Sequence, residues 1–346
     1  MVACERCGFV YASHLPEVAA FDAYYTHMNK YEDETEQPEA FTGNHDRIVQ
    51  AVVSLVPDKT AAIVDVGCAR SETLRLLKRA GYTDLTGIDP SRRCVEYLQK
   101  HGIQSMQATL NTVNNSRQYD VGLFLAVLEH IPGLNGALTI LSRLIKPDGW
   151  LFINVPDITR PAARELPYQE FSREHINYFT PTSLTNLLLS HCWSCRFIGT
   201  SGEDCLCGFQ RGGVEVVKKD EVGKAAIMRY LTMSAQYEAE IYANLSRYRE
   251  TPVIIWGLGT FAQRLLTQNI LTRVVALTDS NVKYHGKKFD QVPVVAPTEL
   301  FAIAAPIIIA TSRRYVGAIT QTIRKELQLN NEIITLHRDY NFIYEG

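Results

Sequence analysis

The sequence predicts an α/β protein with two sheet domains, the second smaller than the first, and a long helix between them. Three observations carry that prediction. Two separate series of short apolar runs occur, and each run is followed by a segment of helical periodicity. The stretch from Lys224 to Thr251 contains neither Gly nor Pro. The first strand of each series also runs directly into a glycine turn, VDVGCARS at 64–71 and IIWGLGTF at 254–261. With 346 residues and 46% hydrophobic content, the chain can bury two or three cores, and the composition excludes a disordered protein.

The first series contains AAIVDVG (61–67), DLTGID (84–89), VGLFLAV (121–127) and WLFINVP (150–156). Strands that cross over through helices are covered on both faces, so they read as nearly continuous apolar runs, as VGLFLAV does. Between the first two strands lies SETLRLLKRAGY, where Leu74 and Leu77 share a helical face and Gly81 closes the helix. The second series contains VIIWG (253–257), VVALTDS (274–280), PIIIATS (306–312) and EIITL (332–336). Between the two series Ile227, Tyr230, Met233, Tyr237, Ile241, Leu245 and Tyr248 recur at steps of three and four. That stripe reads as one amphipathic helix that packs the domains together or forms a dimer seam.

Position gives the first turn its meaning. Gly67 and the small residues after it let backbone N–H groups approach a ligand, and Asp89 ends the neighbouring strand, where a carboxylate can accept hydrogen bonds from a ribose diol. Together they describe an adenosine-type site, although glycines and acids also end strands in α/β proteins that bind nothing.

The succession VDVGCARSETLRLLKRAGY, LTGIDPS, SRQYDVGLFLAVLEHI and LSRLIKPDGWLFINVPD resembles the class I S-adenosylmethionine-dependent methyltransferases over roughly residues 45 to 200. The resemblance implies a seven-stranded Rossmann-like core with S-adenosylmethionine as cofactor. It would place Asp65, Gly67, Cys68 and Ala69 around the methionine end, Asp89 on the ribose, Leu125 near the sulfonium, and Thr109 and Leu110 on the adenine side. The turn departs from the family's glycine-rich form, because Ala69 and Ser71 stand where glycines are common. Ala69 is tolerable there if its φ stays negative, and Ser71 could instead cap the following helix.

After the core comes EHINYFTPTSL (174–184), in which Thr180 is expected to cap a helix that begins with Pro181. An ionisable loop after a strand suits a reaction whose electrophile is already activated, leaving the protein to align an acceptor and take its proton. A histidine does this near neutral pH, and a histidine that only packs is the competing account. The segment resembles that of the nucleotide-sugar C-methyltransferases, which have a cysteine-rich N-terminal segment and a C-terminal Rossmann-like domain. The resemblance implies His175 as base, Glu174 as its orienting or charge-stabilising neighbour, and Tyr178, Tyr24, Tyr25 and Tyr31 at the acceptor. His130 in VLEHI is a rival base, and His175 is preferred.

Cys4-x-x-Cys7 is half of a zinc site, and zinc is not favoured because a structural site needs four ligands. Cys192, Cys195, Cys205 and Cys207 could complete it only if the fold brings them close, and the last two read as strand residues. At the second turn Gly257, Gly259 and Thr260, with Asp279 beyond, match a dinucleotide fingerprint, but too little chain follows for both halves of a dinucleotide domain. GKKFDQVPVVAPTEL (286–300) resembles small Rossmann-like domains that handle sugar nucleotides, so the turn reads either as a diphosphate cradle or as a structural bend.

The balance of 35 Lys+Arg against 37 Asp+Glu excludes the cationic field of a nucleic-acid binder. No run is long enough to span a bilayer, and the N-terminus lacks the apolar core of a signal peptide, so a cytoplasmic protein with reduced cysteines is expected. The expected division is a cap at 1–45, a cofactor-binding core at 46–215, a helical linker at 216–251 and a Rossmann-like domain at 252–346. The expected activity is methyl transfer to a sugar nucleotide or related carbohydrate, on carbon in preference to oxygen. A nicotinamide-dependent sugar-nucleotide reductase using the Gly257 turn, and a non-catalytic sugar-nucleotide binding protein, are the rival classes.

Overall fold

In the computed structural model, residues 1–27, 42–113, 117–160, 166–171, 174–201, 203–213 and 216–338 are described. The chain divides into two units, one of residues 1–161 and 173–227, the other of 162–172 and 228–346. The short segment before residue 173 thus groups with the second unit, which its sequence does not announce.

The sheet of the first unit has seven strands. In spatial order they are Gln104–Gln107, Leu85–Asp89, Ile63–Val66, Tyr119–Leu125, Ile145–Pro156, Asp204–Arg211 and Trp193–Ser201. The first five are mutually parallel, and the last two add an antiparallel hairpin. Alternate residues feed two cores. Ile63, Val121, Leu123 and Phe152 pack with Leu74, Leu77 and Leu98, while Val64, Phe124, Ile153 and Val155 pack with Leu138, Leu141 and Leu184. Burial on both faces is the physical reason these strands read as unbroken apolar runs. The chain builds outward from Ile63–Val66 on one side, then returns to lay Tyr119–Leu125 on its other flank. That reversal opens a crevice at the carboxyl ends of these two strands, the place where open α/β sheets bind ligands.

A small antiparallel sheet joins the N-terminal hairpin, Val2–Ala3 and Val10–Tyr11, to Asn177–Tyr178, with Val10 opposite Tyr178. The N-terminal segment is thereby anchored on the EHINY loop, and the helix Val18–His27 follows it.

In the second unit the strands are ordered Lys288–Phe289, Val292–Val295, Val274–Thr278, Val253–Trp256, Ile307–Ile309 and Ile333–Thr335, parallel except for the first short hairpin. The long helix runs Gly223–Leu245 and continues as a 3-10 turn, Ser246–Tyr248. Tyr237, Ile241, Leu245 and Tyr248 are part of the second unit's core. Met233 departs from the expected stripe: it is exposed, and the buried Ser234 beside it accepts a hydrogen bond from the Tyr168 amide. Among the described residues no helix is long and apolar enough to cross a membrane.

Candidate active site

The first turn is held by reciprocal backbone bonds. The amides of Gly67 and Cys68 donate to the Ile88 carbonyl, at 2.8 and 3.1 Å. The Asp89 carboxylate accepts from the Ala69 amide at 2.7 Å and from the Ser91 amide at 2.8 Å, which fixes both of its oxygens across the crevice. Gly67 has φ 75°, and a Cβ there would meet Val127 Cγ2 at 2.6 Å, so glycine is required.

The condition of a negative φ at Ala69 is not met. Ala69 lies at φ 45° and Ser71 at φ 30°, because the turn must reverse twice between strand and helix without the glycines that usually do so. Ser71 does cap the helix Glu72–Arg79, accepting from the Leu74 amide at 3.0 Å. Its hydroxyl also donates to Asp65 at 2.6 Å. Asp65 is 3% exposed, and burial pushes its carboxyl up to about 7; the Ser71 hydrogen bond opposes that rise and the charge of Asp89 adds to it. Cys68 is buried, and its thiol is raised well above the usual range first by that burial. Leu125 ends its strand half-buried, while Thr109 and Leu110 follow the edge strand Gln104–Gln107, with the Thr109 amide donating to Thr112. His45, which the sequence reading passed over, bonds Thr73 at 2.9 Å, and burial lowers its pKa.

Beyond the end of Tyr119–Leu125 the chain turns through Ala126, at φ 54°, into a 3-10 turn, Leu128–His130. Here Tyr24, Tyr25, Glu174 and His175 gather with His130, the rival base. The His130 and His175 rings lie edge to face with centroids 4.9 Å apart. His130 Nδ1 is 3.0 Å from both the Tyr25 hydroxyl and the Glu174 carbonyl oxygen. A bond to the carbonyl requires the proton on Nδ1, whereas the Tyr25 hydroxyl can donate to an unprotonated Nδ1. The Tyr24 hydroxyl donates to Glu174 Oε1 at 2.8 Å. The loop is pinned from below, since the Ile176 amide donates to the Glu129 carbonyl and Asn177 Nδ2 donates to the carbonyls of Leu128 and Ile131. The Tyr178 hydroxyl donates to the His175 carbonyl at 2.9 Å, which holds the loop's backbone. Thr180 forms the expected cap, with a capping box to Ser183 and Pro181 at the start of the helix Pro181–Leu189. Tyr31 lies outside the described residues. Glu129 is buried beside His130, with Oε1 3.9 Å from His130 Nε2.

Cys4 and Cys7 occupy the tip of the N-terminal hairpin, where the Gly8 amide donates to the Cys4 carbonyl. Among the described residues they gather no third ligand. Cys205 and Cys207 lie in a strand with sulfurs 3.4 Å apart, and hydrogen bonding with Cys195 first, then with Cys205, pushes the Cys207 thiol up.

At the second turn the Gly257 amide donates to the Thr278 carbonyl at 2.8 Å, and Asp279 accepts from the amides of Leu258 and Asn281 at 3.1 and 2.9 Å. Gly257 has φ 108°, with the Ala310 carbonyl oxygen 2.8 Å from where a Cβ would stand. Gly259 and Thr260 are exposed at the start of the helix Thr260–Thr267.

A sequence model described as a methyltransferase domain matches residues 39–191. Ubiquinone biosynthesis O-methyltransferases are similar, at 29% identity over 100 residues for Bordetella avium (27% of this chain, 41% of that protein) and 34% over 106 residues for Rickettsia prowazekii (29% and 42%). The C-methyltransferase NovU of Streptomyces niveus is 23% identical over 202 residues, 55% of this chain and 45% of that protein. The chain thus spans less than half the length of these curated relatives. A solved structure of Burkholderia thailandensis 1,6-didemethyltoxoflavin-N1-methyltransferase matches with a TM-score of 0.48 and 14% identity, covering 62% of this chain and 99% of that one. The matched stretch, residues 39–191, contains the first turn, Asp89, His130 and the loop of His175.

Proposed function

We propose that this chain is a class I S-adenosylmethionine-dependent methyltransferase that methylates carbon in a nucleotide-linked keto sugar or a closely related carbohydrate, with His175 as the general base. The observation that carries the reading is the convergence of His130, His175, Glu174, Tyr24 and Tyr25 beside the end of the fourth parallel strand. The likeness to a C-methyltransferase across 202 residues supports it, because that match extends beyond the stretch shared with the O-methyltransferases.

The donor set at the first turn fits the cofactor. Asp65 and Asp89 end adjacent strands, and their chemistry suits a cationic amino-acid end and a ribose diol respectively. Gly67, Cys68 and Ala69 would border the methionine part, Leu125 the sulfonium, and Thr109 and Leu110 the adenine. When bound, the cofactor supplies an activated methyl group. The protein's own work is then to expose a nucleophile. His175 takes the proton from the carbon beside the acceptor's ketone, giving an enolate, and His130 packs edge-on against the base and restricts its orientation. Glu174, whose carboxylate accepts from the Tyr24 hydroxyl, would stabilise the imidazolium, and the Tyr178 hydroxyl holds the His175 carbonyl. In the second unit, Gly257, Gly259 and Thr260 would border a diphosphate group at a helix N-terminus. Within this proposal the first unit, residues 1–161 and 173–227, carries the chemistry.

The test is a mass-spectrometric screen of nucleotide-linked sugars with S-adenosylmethionine, with the methylated atom located by NMR. A new carbon-bound methyl beside a ketone is expected. Methyl gain on oxygen alone would replace this reading with the hydroxyl-directed one that the ubiquinone O-methyltransferase relatives suggest.

A further inference from the structure

We propose that Glu129, His130 and His175 form a binding site for a divalent transition-metal ion of the zinc class, and that metal binding there excludes His175 from acting as a base. The three side chains each offer one ligand atom, and these atoms lie within 4.8 Å of one another. Two imidazoles and one carboxylate, with a coordination position left for a further ligand, is a donor set that suits zinc, nickel or iron and not magnesium or calcium. Metal bonds of about 2.0–2.2 Å bring ligand atoms around one ion to roughly 3–4 Å from each other, so side-chain shifts of under about 1 Å close the shell.

A second observation points the same way. Histidines that ligate metals almost always donate the other ring N–H to a backbone carbonyl or carboxylate, which fixes the tautomer and aims the ring. His130 has this arrangement: Nδ1 lies 3.0 Å from the Glu174 carbonyl, and Nε2 faces Glu129 Oε1 at 3.9 Å. Glu129 and His175 come from two chain segments tied together by the Ile176 amide and the Asn177 side chain, so their spacing is set by the fold. Glu129 is 1% exposed, which keeps its carboxylate from swinging out to water.

Metal binding does not depend on what the acceptor is. The consequence for turnover rests on the reading of His175 as base, because a nitrogen that ligates an ion cannot accept a proton.

The experiment is calorimetric titration of zinc chloride into the full chain in a Cys4→Ser, Cys7→Ser background, which removes the N-terminal thiols as competitors. One ion per chain is expected, with affinity lowered at least tenfold in His175→Gln and in His130→Gln, each checked for an unchanged melting temperature. Cobalt(II) should give visible d–d bands without sulfur-to-metal charge transfer. No binding in the double-serine background, or binding that both histidine variants leave unchanged, overturns the proposal. If zinc binds as expected and no sugar is methylated, the functional reading fails while this one stands. If methyl transfer is observed and bound zinc leaves it undiminished, the claimed exclusion fails.

Discussion

The two glycine turns of this chain are wired alike and equipped differently. In each, a glycine amide donates to the last or next-to-last carbonyl of the adjacent strand, and a strand-end aspartate collects one amide from the turn and one from the segment after itself. The residue two before the glycine separates them. It is Asp65 in the first turn, buried and bonded to Ser71, and Ile255 in the second, fully buried in an apolar core. The first turn also forces Ala69 and Ser71 into left-handed conformations, whereas Gly259 sits at φ −69°, open to any residue. Shared wiring therefore reports the fold, and the extra buried carboxylate and backbone strain report a site that a cation can fill.

Substitutions that target this difference sharpen it. The largest effect is expected for Asp65→Asn, which should weaken S-adenosylhomocysteine binding about 10–100-fold by calorimetry. The same variant has a pH signature. The folded-state pKa of Asp65, about 7, lies above the ordinary aspartate value of 3.8, so the folded protein holds the proton between those values. Its contribution to stability is full below the unfolded value and is lost as pH rises through the folded one, by on the order of a few kcal/mol. Melting of the cofactor-free wild type should therefore fall relative to Asp65→Asn between pH 4 and pH 7, and parallel curves would contradict the buried-carboxylate account. Next comes Gly257→Ala, expected to destabilise by about 2–4 kcal/mol in denaturant melts, because φ 108° and the Ala310 carbonyl leave no room for a Cβ. Ala69→Gly should stabilise by roughly 1 kcal/mol through relief of the left-handed alanine, unless added unfolded-state entropy cancels the gain. The smallest effect is expected for Gly259→Ala, within about 0.5 kcal/mol of wild type, since nothing lies within 4 Å of its Cβ position. Strong destabilisation there would show that the second turn is closed by a contact.

The parts of this architecture legible in sequence are those where burial on both faces imposes a pattern. The strands Ile63–Val66, Tyr119–Leu125 and Ile307–Ile309 announce themselves as apolar runs, and Asp65 and Asp89 are identified by standing at strand ends. Ser71 and Thr180 are readable as caps because a hydroxyl before a helix has a local partner. The edge strand Gln104–Gln107 is polar, and the hairpin of Lys288–Phe289 with Val292–Val295 is short and largely exposed, so neither imprints a period. The left-handed φ of Ala69 is set by the turn's two reversals and leaves no trace in residue type. Within the proposed site, Tyr24 and Tyr25 are 150 and 105 residues from the partners they bond, and that pairing exists only because the small N-terminal sheet docks on Asn177–Tyr178.

The central claim is that the first turn supplies cofactor binding while the adjacent histidine pair supplies proton removal. It is tested most directly by measuring, in one His175→Ala preparation, S-adenosylhomocysteine affinity by calorimetry and methyl gain on the sugar acceptor by mass spectrometry. The account predicts affinity within twofold of wild type together with a loss of turnover of at least about 100-fold. Wild-type turnover in that variant would contradict it.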